Sequence, residues 1–341
     1  MKYKYLFFDD YSEGAHPRIM EALTKTNNRQ EVGYGGDSFA IEATRLIRER
    51  VGKSDADVHF ISTGTHANLV ALSWILKPYE SVIAADCGHI NLHETGAIEA
   101  TGHKIHTVKA VDGKLSPEAV RTVVEEHNFD QMVKPRAIYI SQSTELGTVY
   151  GKKELTELSN LCKELGLYFY IDGARLGCAL TITNGDLTIK DIADFADIFY
   201  IGGTKNGGLI GEAMVIVNPI LKENFRYQLR QRGALLAKAR AVSVQFMEFF
   251  KDDLYFEIAK HSNEMAQKLA QGIKERGYKF LVDSPTNAIF PILPNTVIDE
   301  LKTEYGFHIW SKVDAENSAI RLVTSWATPQ EAVDDFIASL N

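Results

Sequence analysis

Between about residues 55 and 220, short apolar runs alternate with longer stretches of helical period, the pattern of a parallel sheet whose strands are joined by crossover helices. Seven runs rich in Val, Ile, Tyr and Phe read as strands: Val58–Ser62, Ser81–Ala85, Lys104–Val108, Arg136–Ser141, Tyr168–Asp172, Ile198–Gly202 and Ala213–Val217. The clearest helix is Lys152–Leu165, where Leu155, Leu158, Leu161, Cys162 and Leu165 share one face and Gly166 follows as a C-cap. Another begins at Ser116-Pro117, a capping hydroxyl followed by a proline where the missing N–H costs nothing. Before this core, Pro17–Gly52 reads as helical with a break at Val32-Gly-Tyr-Gly-Gly-Asp37. After residue 220 the alternation stops: Leu221–Lys274 reads mostly as helix, and the chain from Tyr278 onward is mixed. The pattern predicts an α/β large domain with a mainly parallel sheet over residues 17–245, and a smaller α+β domain made of residues 1–16 and 246–341. Without an internal repeat, low-complexity tract or Pro/Ser-rich linker, the two are expected to pack closely.

Composition narrows the possible functions. The chain has 341 residues, 45% hydrophobic and 24% charged, enough for a core that needs neither disulfide nor structural metal. Thirty-seven Lys and Arg against 45 Asp and Glu leave a net charge of −8, whose long-range field repels polyanions and argues against a nucleic-acid partner. A small anionic ligand is still compatible with that charge, since a local pocket of Arg and backbone N–H groups overrides the global sign. Cys87, Cys162 and Cys178 are odd in number and far apart, which suits reduced thiols rather than disulfides or zinc. The apolar run near Met1 is too short for a signal-peptide core, and no stretch approaches the roughly 18 apolar residues of a membrane span. A cytoplasmic protein without membrane contact is expected.

Three constellations carry candidate chemistry. In Phe60-Ile-Ser-Thr-Gly-Thr-His-Ala-Asn-Leu69 an apolar strand ends in hydroxyls and a glycine where a helix begins. Gly64 lets the backbone approach an anion, the hydroxyls of Thr63 and Thr65 flank it, and the first-turn N–H groups face outward with the helix dipole behind them. Taken alone, a plain capped turn explains it equally well, and neither the P-loop lysine nor the G-x-G-x-x-G spacing is present. In Tyr168-Phe-Tyr-Ile-Asp-Gly-Ala-Arg-Leu176, Asp172 lies at the carboxyl end of a central strand, the edge where open α/β sheets bind ligands. A helix-capping aspartate is the bland alternative. In Phe199-Tyr-Ile-Gly-Gly-Thr-Lys-Asn-Gly-Gly208, Thr204 and Lys205 follow another apolar strand between two glycine pairs, where an ordinary solvated lysine turn is the competing reading. Together the three supply a hydroxyl and N–H cup for phosphate, an acid for a pyridinium nitrogen and a lysine for a Schiff base, the protein's contribution to a pyridoxal 5'-phosphate site.

With these residues in view, the chain resembles the low-specificity L-threonine aldolases, fold type I pyridoxal-phosphate enzymes within the β-eliminating lyase group. The match runs through Asp9–Met20, Tyr34–Asp37, Phe60–Leu69, His89–Ala97, Ile171–Leu176, Gly202–Glu212 and Ala319–Thr324. The resemblance implies a transferase-like fold and cleavage of L-threonine, L-allo-threonine and other L-β-hydroxy-α-amino acids to glycine and an aldehyde. Another fold type I enzyme, a β-elimination lyase or aminotransferase, is the alternative. It further implies that Lys205 holds the cofactor covalently, that Asp172 faces its pyridine nitrogen, that His89 stacks on its ring, and that Arg175 and Arg321 fix the substrate carboxylate. It implies a homodimer or homotetramer in which Tyr34 and Arg230 or Arg232 reach a neighbouring subunit's phosphate. No metal is expected. Three positions depart from the family: Asp9 stands where a carboxylate-binding serine is common, Thr144 and Glu145 occupy the region of a second histidine, and Ser325-Trp326 replaces a third. The proton acceptor for the substrate hydroxyl is therefore left open between His89 and a water.

Overall fold

A computed structural model describes residues 3–340. A short N-terminal strand β1 (Tyr5–Leu6) leads into helices α1 (Pro17–Thr26) and α2 (Ser38–Val51), separated by the glycine-rich break read from the sequence. The central sheet then follows: β2 (Asp57–Ile61), β3 (Glu80–Ala85), β4 (Lys104–Val108), β5 (Lys134–Ser141), β6 (Tyr168–Asp172), β7 (Ile198–Gly202) and β8 (Glu212–Ile216). Its strands lie side by side in the order β2-β8-β7-β6-β5-β3-β4. Crossover segments carry α3 (Gly64–Ile75), α4 (His89–Leu92), α5 (Pro117–Glu126), α6 (Lys152–Leu165), α7 (Leu176–Leu180) and α8 (Ile189–Phe195). The strands are nearly all apolar because both faces are covered, so burial rather than alternation decides their composition. One apolar layer gathers Ile138, Ile171, Phe199 and Val215 with Leu155 and Leu158 of α6, and the other gathers Tyr139, Tyr170, Tyr200 and Met214 with Val70 and Leu72 of α3.

Six of the seven strands point the same way, and β8 runs antiparallel to both its neighbours, β2 and β7. The sheet is thus mainly parallel, as the sequence predicts, and its one reversed strand starts at Glu212 rather than at the expected Ala213. The nine-residue link from Gly202 to Glu212 is too short for the crossover a parallel strand needs, so the chain turns straight back. This reversal puts the first residue of β8 at the same edge as the last residues of β2 and β7, with Glu212 paired to Ile61 on one side and Gly202 on the other.

Beyond the sheet, the predicted helical stretch divides into α9 (Phe225–Gln231), α10 (Arg240–Lys251) and the long α11 (Leu254–Glu275). A second, antiparallel sheet contains β9 (Lys279–Phe280), β10 (Ala288–Ile289), β11 (Pro291–Pro294), β13 (His308–Lys312) and β14 (Asn317–Val323), while β12 (Tyr305–Gly306) pairs with β1 in parallel. α12 (Asn295–Leu301) and α13 (Gln330–Ala338) complete it, and Phe7, Leu269, Ile320 and Phe336 fill the apolar layer between this sheet and α11. Just after β1, the Phe7 carbonyl accepts the Val323 N–H at 3.0 Å, which ties residues ahead of Asp9 and Asp10 to β14, the strand that carries Arg321. Among the described residues no helix is long and apolar enough to cross a membrane.

Candidate active site

The carboxyl ends of the parallel strands converge on one cavity of about 420 Å³. Its wall includes Ser62, Thr63, Gly64 and Thr65 after β2, His89 and His93 after β3, Ser141, Ser143, Thr144 and Glu145 at the end of β5, Asp172 and Arg175 after β6, and Thr204, Lys205 and Glu212 around the β7–β8 turn. Eight residues singled out from the sequence, Thr63, Gly64, Thr65, His89, Asp172, Arg175, Thr204 and Lys205, thus line a single space.

Thr63 has extended backbone and caps α3, its hydroxyl accepting from the His66 N–H at 3.2 Å, so the remaining first-turn N–H groups have no partner within the helix. A Cβ on residue 64 would come within 3.0 Å of the Tyr200 hydroxyl, a group that is itself immobilised, which explains the glycine. Gly173 answers to a harder limit, since a Cβ there would fall 1.8 Å from the Tyr200 carbonyl.

Asp172 is buried at the cavity floor and accepts four hydrogen bonds. Oδ2 takes Tyr139 OH at 2.7 Å and Asn68 Nδ2 at 3.0 Å; Oδ1 takes the Ala174 N–H at 2.9 Å and the Tyr200 hydroxyl. Burial alone would push this carboxyl up, yet the His89 charge and these donors outweigh it and hold Asp172 below the usual carboxylate range. Asn68 is fixed in turn, its amide donating to Glu94 Oε1 at 2.6 Å and its carbonyl accepting Tyr170 OH at 2.8 Å. The same Glu94 oxygen lies 2.8 Å from His89 Nδ1, and because a carboxylate only accepts, Nδ1 carries the proton and Nε2 is left for other contacts.

Lys205 sits on the turn between β7 and β8. Burial, then Arg175, holds its amine below the usual lysine range, against the pull of Asp10, Asp172 and Glu212. Glu212 clamps the turn, accepting the Gly203 N–H at 2.8 Å and the Thr204 hydroxyl at 3.0 Å, and burial pushes its carboxyl up to about 7.

Two arginines each engage one of a pair of consecutive aspartates. Arg175 makes a two-pronged ion pair with buried Asp10, at 2.6 Å from Nε and 3.0 Å from Nη2, and Asn287 adds a bond to the same carboxylate at 2.9 Å. Arg321 Nη2 donates to Asp9 Oδ1 at 2.7 Å and to the Phe8 carbonyl at 3.0 Å. Asp9 and Arg321 thus stand behind the cavity wall, engaged with each other. Thr144 and Glu145 line the cavity as well: Thr144 bonds Thr148 at 2.7 Å, and Glu145 Oε1 accepts both Ser141 Oγ at 2.6 Å and the His89 N–H at 2.9 Å.

Three further residues lie outside this space. The Arg230 guanidinium covers the exposed Tyr34 ring at 4.4 Å, and Arg232 offers its carbonyl to His66 Nε2 at 3.0 Å. Glu212, Asp10, Asn68, Glu94, Tyr139, Tyr200 and His93 did not emerge from the sequence. Only His93, one helical turn after His89, and Asp10, beside Asp9, carried any local signal.

The β-eliminating lyase family model matches residues 9–295. A low specificity L-threonine aldolase from a Pseudomonas species is 33% identical over 338 residues, covering 97% of this chain and 95% of its own length. A solved structure of a threonine aldolase from Leishmania major is 46% identical, with a TM-score of 0.97 over 98% of both chains. An aspartate aminotransferase from Thermus thermophilus, at 15% identity and a TM-score of 0.72, covers 99% of this chain and 91% of its own and shares the fold alone.

Proposed function

Because the chain belongs to the β-eliminating lyase family, we propose that it works as a low-specificity L-threonine aldolase, splitting L-threonine and L-allo-threonine to glycine and acetaldehyde. The observation that carries this reading is the meeting, at one sheet edge, of a carboxylate held ionised, a buried lysine and a glycine-threonine helix start, with Arg175 in the same cavity wall.

Pyridoxal 5'-phosphate, the cofactor of this family, suits that donor set. Asp172 would face the pyridinium N–H, the Lys205 amine would take the aldehyde carbon, and Thr63, Gly64 and Thr65 with the α3 amides would hold the phosphate. Ser143 Oγ, a cavity-wall hydroxyl buried without a partner, has an acceptor or donor to gain there. When bound, the cofactor supplies an electron sink for charge developing at the substrate Cα. The chain's own residues do the rest. Tyr139, Tyr200, Asn68 and the Ala174 amide keep Asp172 ionised and aimed. Glu94 fixes the His89 ring by its Nδ1. Arg175 and Arg321, with Asp9 and Asp10 offsetting their mutual repulsion, orient the substrate carboxylate and so decide which Cα bond is set for cleavage.

Tyr34 and Arg230, paired with one another on the surface, are suited to serve a neighbouring subunit of a homodimer or homotetramer, and exposed Val32, Ile41 and Tyr227 offer the apolar area such contact needs. Rates on the four threonine stereoisomers test the activity. Both L-epimers should release acetaldehyde without any keto acid, and the D-isomers should be inert because the carboxylate clamp sets the wrong bond. Release of ammonia and a keto acid, or a keto-acid requirement, would assign a different fold type I reaction.

A further inference from the structure

Cleaving the Cα–Cβ bond requires a group that takes the β-hydroxyl proton. Six cavity residues are candidates, and the structure disposes of most of them. Glu145 is held in place by two donors on Oε1, Ser141 Oγ and the His89 N–H, Thr144 is bonded to Thr148, and Glu212 is committed through both oxygens to the Gly203 N–H and Thr204. The Tyr11 phenol is pushed up by burial, then by the charge of Asp9, so it keeps its proton. His89 is anchored through Nδ1 to buried Glu94, which suits a fixed ring against a flat ligand better than a proton carrier that must follow a hydroxyl.

His93 differs from all of these. It caps the single turn of α4, its N–H bonded to the His89 carbonyl at 2.9 Å, so the two imidazoles lie four residues apart on one face. Their ring centroids are 5.5 Å apart, and both rings line the cavity. Neither nitrogen of His93 has a hydrogen-bond partner among the described residues. Burial, then the charges of His89, Arg321 and Lys205, hold the ring below the usual histidine range and therefore neutral at pH 7. Lys205, which would engage the substrate amine, lines the same cavity as the His93 ring.

We propose that His93 is the catalytic base for the β-hydroxyl, an assignment that rests on the aldolase reading above. The O–H proton passes to a ring nitrogen of His93 and the O–H electron pair becomes the second bond of the aldehyde C=O. The Cα–Cβ pair would remain at Cα, where the cofactor would supply the electron sink, and a proton delivered to Cα would give glycine. This also answers what replaces the histidine absent from residues 141–147: the imidazole comes from α4, after the neighbouring strand β3, where the His89 N–H donates to Glu145.

The test separates two reactions of the same holoenzyme. Exchange of a glycine α-proton with deuterium oxide, followed by proton NMR, needs the cofactor and the carboxylate clamp but has no hydroxyl to deprotonate. His93→Phe keeps an aromatic ring against His89, and His93→Asn controls for size. Both variants should lose about 10²-fold or more in kcat/KM for L-threonine, while glycine exchange stays within about threefold of wild type. Cleavage within about threefold of wild type would overturn the assignment, and so would equal losses in both reactions, which would mean that His93 shapes the cavity or acts at Cα. Failure of the aldolase reading itself is distinguishable, since the unaltered protein would then exchange glycine protons without cleaving any β-hydroxy amino acid.

Discussion

Replacing Asp172 by asparagine should damage catalysis far more than folding. The side chains are isosteric, but the carboxylate accepts on both oxygens and the amide on one. The Tyr139 and Tyr200 hydroxyls can turn to accept from an NH2 group, whereas the Ala174 N–H on one side and Asn68 Nδ2 on the other can only donate. Whichever way the amide turns, one donor faces another, and a bond to a charged acceptor worth about 1.5–3 kcal/mol is lost. Removing a buried charge relieves desolvation and offsets much of that, so stability should fall by no more than about 2 kcal/mol. The effect on the reaction is larger. An opposite charge at about 4 Å contributes about 4 kcal/mol at an effective dielectric of about 20, and losing it from the pyridinium corresponds to about 10³-fold in rate. A coupled acetaldehyde assay reads kcat/KM, and urea melts of the same preparation read stability. Turnover within about tenfold of wild type would refute the role of Asp172, as would a collapse of stability large enough to account for the lost rate.

Asp10→Asn breaks the partner of a buried guanidinium and should cost about 3–5 kcal/mol in urea melts. Burial pushes the Asp10 carboxyl up, but Arg175 and then Lys205 bring it below its ordinary value. Its stabilisation is therefore present above about pH 4 and lost as pH falls through the lower folded-state value, so the variant's stability should vary less with acid than the wild type's. Asp9→Ser removes a carboxylate that competes for Arg321; for a pair about one-fifth exposed worth about 1 kcal/mol, KM for L-threonine should fall about fivefold with kcat unchanged, and a rise in KM would show that Asp9 positions Arg321.

What could be read from the sequence follows from range. Strand ends flanked by glycine are local signals, so Asp172 and Lys205 stood out, as did the Lys152–Leu165 helix and the Ser116-Pro117 helix start, both of which the structure reproduces. Glu212 was hidden because only the antiparallel direction of β8 brings its first residue to the ligand edge. Asn68, Glu94 and Asp172 are assembled across a sequence separation of up to 104 residues, and Tyr139 and Tyr200 read as ordinary core aromatics until their hydroxyls are seen on Asp172. Asp10 has only its neighbour Asp9 as a local signal; its burial against Arg175 accompanies the pairing of β1 with β12 near the chain's far end.

The central claim is that Lys205 carries the cofactor of an aldolase. Borohydride reduction of the cofactor-loaded protein, followed by mass mapping of its peptides, tests it most directly, with Lys205→Ala treated in parallel. The predicted result is a reduced adduct on Lys205 alone, absent in the variant, together with loss of acetaldehyde release from L-threonine. An adduct on a different lysine, or a Lys205→Ala protein that still cleaves L-threonine at the wild-type rate, would contradict it.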